Sequence, residues 1–321
     1  MRERYPQLIG VGHCCQDSIC TIEEYPPEDS STHITAIDDS QGGGAVATAM
    51  VAAAKLGVLT GMIAHLGDDS TGDRIAGDFE SYGMDITGIR RIVGGRSSSS
   101  IVLVDPGKGT RTKFPYRDNL PSIEWDEQQK ELLRNAKILH LDGTQYENAV
   151  AAATLAREYG VVVSLDGCSM QKDHAKNRKL AGMADILIMN AKYPLKVSGQ
   201  DDIRQAMLEM AALGSKVVIS TAGKNGCYAV FDGKVHHFSA YPVDAIDTTG
   251  AGDVFHGAFL TAWLEQKDVR ECIRFASAVS AMKCLKIGGR AGIPSRKEVE
   301  QFLREAEPLW EEILGEDGVT A

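Results

Sequence analysis

Short apolar runs and amphipathic stretches alternate along this chain. Residues 8–11, 138–141, 161–165, 186–189 and 217–220 are apolar and bounded by glycine or polar residues. Runs of that length read as strands of a parallel sheet buried on both faces. Apolar positions recur at helical spacing over 45–56, 72–82, 148–159 and 203–213. Further on come 254–264, with Phe255, Phe259 and Ala262 on one face, then 269–285 and an amphipathic helix after Pro294. Alternation of this kind predicts βαβ units and a three-layer α/β/α sandwich.

Two stretches depart from it. Residues 18–40 carry no helical period and contain Pro26-Pro27. Residues 96–118 read as a hairpin: a strand over 97–104, a turn over 105–109, and polar–apolar alternation over 110–116. Segments of about 14–40 and 96–118 are therefore expected to form a small β-sheet lid inserted in the α/β core. Such a sheet would cover a crevice at the ends of the parallel strands. No long linker or internal repeat divides the chain, so a single domain over 1–321 is expected.

Composition narrows the possible partners. The chain is 43% hydrophobic and 24% charged, the range of ordinary globular proteins. Its formal charge is 34 − 44 = −10, which argues against nucleic acid, whose binding relies on lysine and arginine. A phosphate ligand would need local geometry and a cation to hold it against that field. No stretch approaches the ~20 apolar residues that span a bilayer, and the first ten residues carry no apolar leader. The seven cysteines are odd in number and spread through apolar segments. Reduced thiols and a cytoplasmic location follow as expectations. Glycine makes up 33 of 321 residues, about 10% against a usual ~7%, which suggests backbone approached closely by a ligand.

The strongest chemical signal is Asp247-Thr248-Thr249-Gly250-Ala251-Gly252-Asp253, followed at once by an apolar helix. Gly250, Ala251 and Gly252 leave their amides open at a helix N-terminus, where unpaired N–H groups and the helix dipole attract anions. Asp253 falls in the first turn, where the positive helix end favours its ionised form. That suits a base taking a proton from an attacking hydroxyl. Amides around a donor phosphate, beside a base for the acceptor, make a phosphoryl-transfer constellation.

Residues 247–259, DTTGAGDVFHGAF, resemble the C-terminal signature of the PfkB (ribokinase-like) family of carbohydrate kinases. Upstream, Gly43-Gly44-Ala45-Val46-Ala47-Thr48, Lys55-Leu56-Gly57 and IAHLGDDSTGDRIAGDFESYGMD over 63–85 are similar to its N-terminal signature. Thr221-Ala222-Gly223-Lys224-Asn225-Gly226 is similar to its nucleotide-side Thr-x-Gly-x-x-Gly. The resemblance covers about residues 8 to 300. It implies a ribokinase-like fold and a kinase that uses ATP and Mg2+, with Asp253 as general base and Gly250-Ala251-Gly252 as anion hole. Thr221, Gly223 and Gly226 would contact the nucleotide, with Asn190 and Asp247 also on the cofactor side. Asp17, Gly43, Gly44 and Thr48 would hold a sugar-type acceptor, a ketose or sugar acid being favoured. Arg111 and Lys113, on one face of the hairpin, are positioned to meet an anionic acceptor. A homodimer through the lid sheet is also implied.

The sequence departs from the family pattern in two places. Thr48 stands where the family usually has Asn, offering one hydroxyl instead of an amide. Asn190 is followed by Tyr193 where the family's Asn-x-x-Glu has its glutamate. That places the chain nearer the ketohexokinase-like and sulfofructose-kinase-like members and leaves no protein carboxylate assigned to the metal. Asp166, at the end of a strand, is a candidate near the phosphates, and Arg290 and Lys224 are candidates for balancing their charge. A monovalent cation such as K+ on backbone oxygens near 247–249 and 285–291 is a further implication. The alternatives are a nucleoside kinase of the same family and a non-catalytic metabolite sensor on the kinase fold.

Overall fold

The computed structural model describes residues 5–108, 110–168 and 171–315. The last residue of the expected hairpin turn, Gly109, lies outside them. The strands are β1 (Leu8–Val11), β2 (Cys15–Ile22), β3 (Ile34–Gly43), β4 (Thr60–Gly67), β5 (Asp85–Ile92), β6 (Ser99–Asp105), β7 (Thr110–Tyr116), β8 (Ile138–Asp142), β9 (Val162–Asp166), β10 (Ile186–Asn190), β11 (Val217–Thr221), β12 (Cys227–Phe231), β13 (Lys234–Phe238) and β14 (Glu311–Ile313). The helices are α1 (Ala45–Lys55), α2 (Ser70–Ser81), α3 (Glu127–Asn135), α4 (Tyr146–Glu158), α5 (His174–Ala181), α6 (Lys192–Ser198), α7 (Ile203–Ala211), α8 (Ala251–Leu264), α9 (Val269–Lys283) and α10 (Arg296–Glu305).

Among the described residues the main sheet runs β14-β13-β12-β11-β10-β9-β8-β1-β4-β5. From β11 to β5 neighbouring strands are parallel. From β11 to β14 they are antiparallel, so the sheet is mixed where apolar runs alone predicted a parallel one. Alternate residues of β1 supply the two faces: Leu8 packs with α1, α8 and α9 through Met50, Phe259 and Phe275. Ile9 packs with α3, α4 and α7 through Leu133, Ala153 and Met207. Helices therefore cover both faces, the ribokinase-like α/β/α sandwich.

The small sheet runs β3-β2-β6-β7. Its hairpin pairs Ile101 with Phe114 and Val104 with Arg111, in the register that the alternation over 110–116 predicts. Its partner strands come from 15–43, the region without helical period.

The parallel strands deliver polar residues at their carboxyl ends. Asp142 of β8 lies level with Asp166 of β9, and Asn190 of β10 with Thr221 of β11. Apolar strands that end on polar side chains place chemistry at one edge of the sheet, where open α/β folds bind ligands.

Helix α8 lies against α1 through Gly257, where a Cβ would run into the Ala49 carbonyl oxygen. That neighbour is backbone and cannot turn aside. Gly257→Ala is expected to destabilise the fold by about 1–3 kcal/mol from overpacking, outweighing the ~1 kcal/mol gain in helix propensity. Urea unfolding of the two proteins measures this, and a variant as stable as wild type would refute the packing argument.

Candidate active site

The turn that opens α8 is built around Asp247. Its Oδ1 accepts the Thr249 N–H (2.8 Å) and hydroxyl (2.6 Å), and its Oδ2 accepts the Gly288 N–H at 2.9 Å. Burial works against its charge, but these bonds and nearby Lys283 hold its carboxyl below the usual range. Gly250 caps the helix in the left-handed region, φ 73°. A Cβ there would also sit 2.8 Å from the Gly289 carbonyl oxygen, so glycine is required twice over. The expectation of three open amides is corrected at Ala251, whose N–H closes the turn on the Thr248 carbonyl at 3.2 Å, while Gly252 is exposed.

This turn separates two cavities. One, of about 680 Å³, is lined by Thr221, Gly223, Lys224, Gly226, Ala251 and Gly252. The other, of about 700 Å³, is lined by Asp17, Gly43, Gly44, Thr48, Arg111 and Asp253, with Lys113 and Asp247. The sequence candidates are shared between the two cavities, and Gly250, expected with the phosphate-side amides, lines the second. Asp247, placed on the cofactor side from sequence, lines the second cavity instead.

Asp253 is half-buried in the wall of the second cavity. Burial, reinforced by the carboxylates of Asp166 and Asp142, raises its pKa well above the ordinary value, with Arg290 and Lys113 opposing. The expectation that the positive helix end would keep it ionised is corrected by its burial, to which these two strand-end acids add.

Asp166 and Asp142 are themselves raised, burial being the main cause. His256, one turn along α8, is buried with its Nε2 3.6 Å from Asp166 Oδ2. Burial lowers the pKa of both His256 and its neighbour His140 to about 3, so neither imidazole supplies positive charge at neutral pH. Among the described residues, Asp166 Oδ2 has no hydrogen-bond partner.

On the acceptor side, Asp17 receives the Ser100 hydroxyl and lies 3.1 Å from Lys113 Nζ. A Cβ on Gly43 would come within 2.8 Å of Asp17 Oδ2, so only glycine leaves this wall open. Arg111 donates to the Thr249 hydroxyl and lies 3.5 Å from Asp247 Oδ1. Arg111 therefore crosses from the small sheet to the body, while Lys113 pairs within the small sheet, from β7 to β2.

Arg290 does not balance phosphate charge. It is buried, pairs with Asp78, and donates to Gly43 O (2.9 Å) and Thr48 Oγ1 (3.3 Å). Lys224 does line the first cavity.

Asn190 stays out of both linings among the described residues. Its Oδ1 accepts the N–H groups of Lys192 (3.0 Å) and Tyr193 (3.1 Å), holding the first turn of α6. Tyr193 is buried, with its hydroxyl 3.3 Å from the Asn177 carbonyl. Sequence reasoning missed Asp142 and Lys283. Asp142 repeats the strand-end pattern that flagged Asp166, so a signal for it existed.

Residues 7–296 match the profile of the pfkB family carbohydrate kinases. An ATP-dependent ribose-1-phosphate kinase of Halopiger xanaduensis is 29% identical over 93% of this chain and 98% of its own. A nucleoside kinase of Methanothermobacter thermautotrophicus is 26% identical over 92% and 95%. Among solved structures, the ribokinase of Arabidopsis thaliana complexed with ribose and ATP superposes with a TM-score of 0.83. It is 26% identical, covering 94% of this chain and 99% of that one. A fold, a site and relatives that agree in this way make the chain a member of the pfkB family of carbohydrate kinases, phosphotransferases acting on an alcohol group.

Proposed function

We propose that this protein transfers the γ-phosphoryl group of ATP to a hydroxyl of a small sugar or sugar derivative, with a ketose or sugar acid favoured. The observation that carries this reading is the position of the 247–253 turn between two cavities. Ala251 and Gly252 face one of them and Asp253 the other. ATP takes the Thr221/Gly226 side, and the acceptor hydroxyl takes the Asp253 side. Asp253 accepts its proton as the oxygen attacks phosphorus. The amides at the start of α8 meet the charge gathered on the phosphoryl oxygens. The small sheet acts as a lid of a single-domain kinase and excludes water from the transfer.

Magnesium fits this site in a reduced form. Tyr193 removes the family's glutamate, yet Asp166 Oδ2 is a buried, unpartnered carboxylate oxygen. Magnesium typically leans on substrate phosphates and its own waters, with one or two carboxylates. When bound, it neutralises phosphate charge.

Two cations among the four aspartates of the acceptor cavity support an anionic group on the acceptor. Arg111 and Lys113 line it while paired to Asp247/Thr249 and Asp17, and a carboxylate or phosphate on the acceptor would compete for them. This supports a reading nearer the ketohexokinase-like and sulfofructose-kinase-like members. A nucleoside acceptor is the second reading, favoured by the apolar wall of Ile19, Val102 and Val104 and by the nucleoside kinase relative.

The outer face of the lid sheet exposes Ile37, Ile101, Phe114 and Tyr116, a patch suited to a second copy of the chain.

Asp253→Asn should lower kcat by about 10²–10⁴-fold with ATP binding largely kept. ADP release over ketoses, aldoses, sugar acids, phosphosugars and nucleosides measures this, and turnover equal to wild type would sink the assignment. Because the raised carboxyl must lose its proton to act, kcat/KM should fall as pH drops through a point well above the usual carboxylate range. A profile flat down to ordinary aspartate pKa values would count against the base. Replacing Ile101 and Phe114 together by Glu should turn a dimer into a monomer in light scattering. A wild-type protein that is already monomeric would remove the interface.

A further inference from the structure

Two stretches face each other beside the start of α8, and Asp247 ties them together. The N–H groups of Ile246 and Asp247 donate to the Cys284 carbonyl at 2.8 and 3.2 Å, and Gly288 donates to Asp247 Oδ2. These are the stretches whose backbone oxygens are expected to enclose a monovalent cation. One of those oxygens is already taken: Lys283 Nζ donates to the Asp247 carbonyl at 2.8 Å.

Lys283 is the last residue of α9 and is fully buried, 0% exposed. Lysine is almost never buried to that degree without a partner, and an unpaired ammonium there would be costly. Burial pulls its pKa down, and the Asp247 carboxylate opposes that shift. The carbonyl end of α9 also favours a cation at this place. A second cation on the same oxygen would meet the ammonium at close range, where like charges repel strongly in a partly desolvated setting. The residues present therefore do not fit a dissociable monovalent ion.

We infer that Lys283 replaces that ion: it is a positioning residue whose ammonium holds the Asp247 carbonyl, and through it the turn leading to Gly252, so that the protein needs no K+. The bond fixes main chain at the same residue whose carboxylate orders Thr249 and Gly288. Loss of the ammonium would free the turn that presents the α8 amides to phosphate. A side-chain cation tethered to the chain removes the need for a dissociable monovalent ion at this place.

The test has an arm that is independent of the kinase reading. Thermal unfolding of nucleotide-free protein is compared in potassium and tetramethylammonium chloride at equal ionic strength. Wild type should show the same Tm in both, since an ion bound only by the folded state would raise it. ADP affinity by calorimetry should likewise agree within about twofold, the scatter of general salt effects. A K+-specific rise in either quantity for wild type overturns the inference, and this comparison decides even if no variant folds. Absence of ADP binding in every salt would instead defeat the phosphotransferase reading, while the unfolding arm still stands.

Lys283→Met keeps the stem and removes the charge, and ADP affinity is expected to fall at least about tenfold, the cost of a charge-assisted contact. Lys283→Ala leaves room for an ion, and K+ should restore part of its ADP affinity where tetramethylammonium does not. Full ADP affinity in Lys283→Met, or a loss in Lys283→Ala that K+ leaves untouched, overturns the positioning role.

Discussion

The turn into α8 depends on one constraint: its main chain must be held in place without a side-chain cap. Helix termini leave main-chain N–H groups orphaned, and water or a side-chain cap normally takes them. Here the cap residue is Gly250, which has no side chain to offer. Order has to come from behind the turn, and Asp247 supplies it with both carboxylate oxygens and its carbonyl. The glycines remove steric cover, and Asp247 with Lys283 restores the rigidity that glycine gives away.

The same edge of the sheet gathers negative charge. Asp142 and Asp166 end adjacent parallel strands in register, so they reach the same level beneath α8. Neither buried imidazole nearby carries charge to offset them. Their effect is felt at Asp253, which becomes a stronger base than an exposed aspartate. A protein of charge −10 thus meets an anion through dipoles and local cations, and turns its surplus acids into base strength.

Much of this is legible in the amino-acid sequence. The 247–253 segment shows its role because glycines, a base and an apolar helix fall within a few residues, and local sequence encodes local geometry. The hairpin is legible for the same reason, since alternation over 110–116 sets Arg111 and Lys113 on one face, and both line the cavity. What stays hidden depends on long-range packing. Arg290 reaches Gly43 and Thr48 across most of the chain, and nothing near residue 290 signals that. The antiparallel edge β12–β14 is short, and β14 joins from the far end of the chain. Tyr193 can be read as a missing glutamate, but its burial against Gly167 and its bond to Asn177 belong to the folded state alone.

The cations of β7 reach β2 of their own sheet and the 247–249 turn of the body through ion pairs suited to exchange. The Lys113–Asp17 and Arg111–Asp247 pairs each include a cation about half exposed, and such pairs contribute roughly 0–1 kcal/mol. Of the two, only the Arg111 pair would break if the small sheet moved away from the body, at little cost. Under the proposed function, an acceptor that brings its own anion would replace both carboxylates as partner, through charge-assisted bonds about twice as strong as neutral ones. The released Asp17 is then free to accept hydroxyl groups, so closing on the ligand would free one binding group as it engages two others. The pairs present before any ligand arrives hold the cations near their working positions and keep two like charges from repelling across an empty cavity.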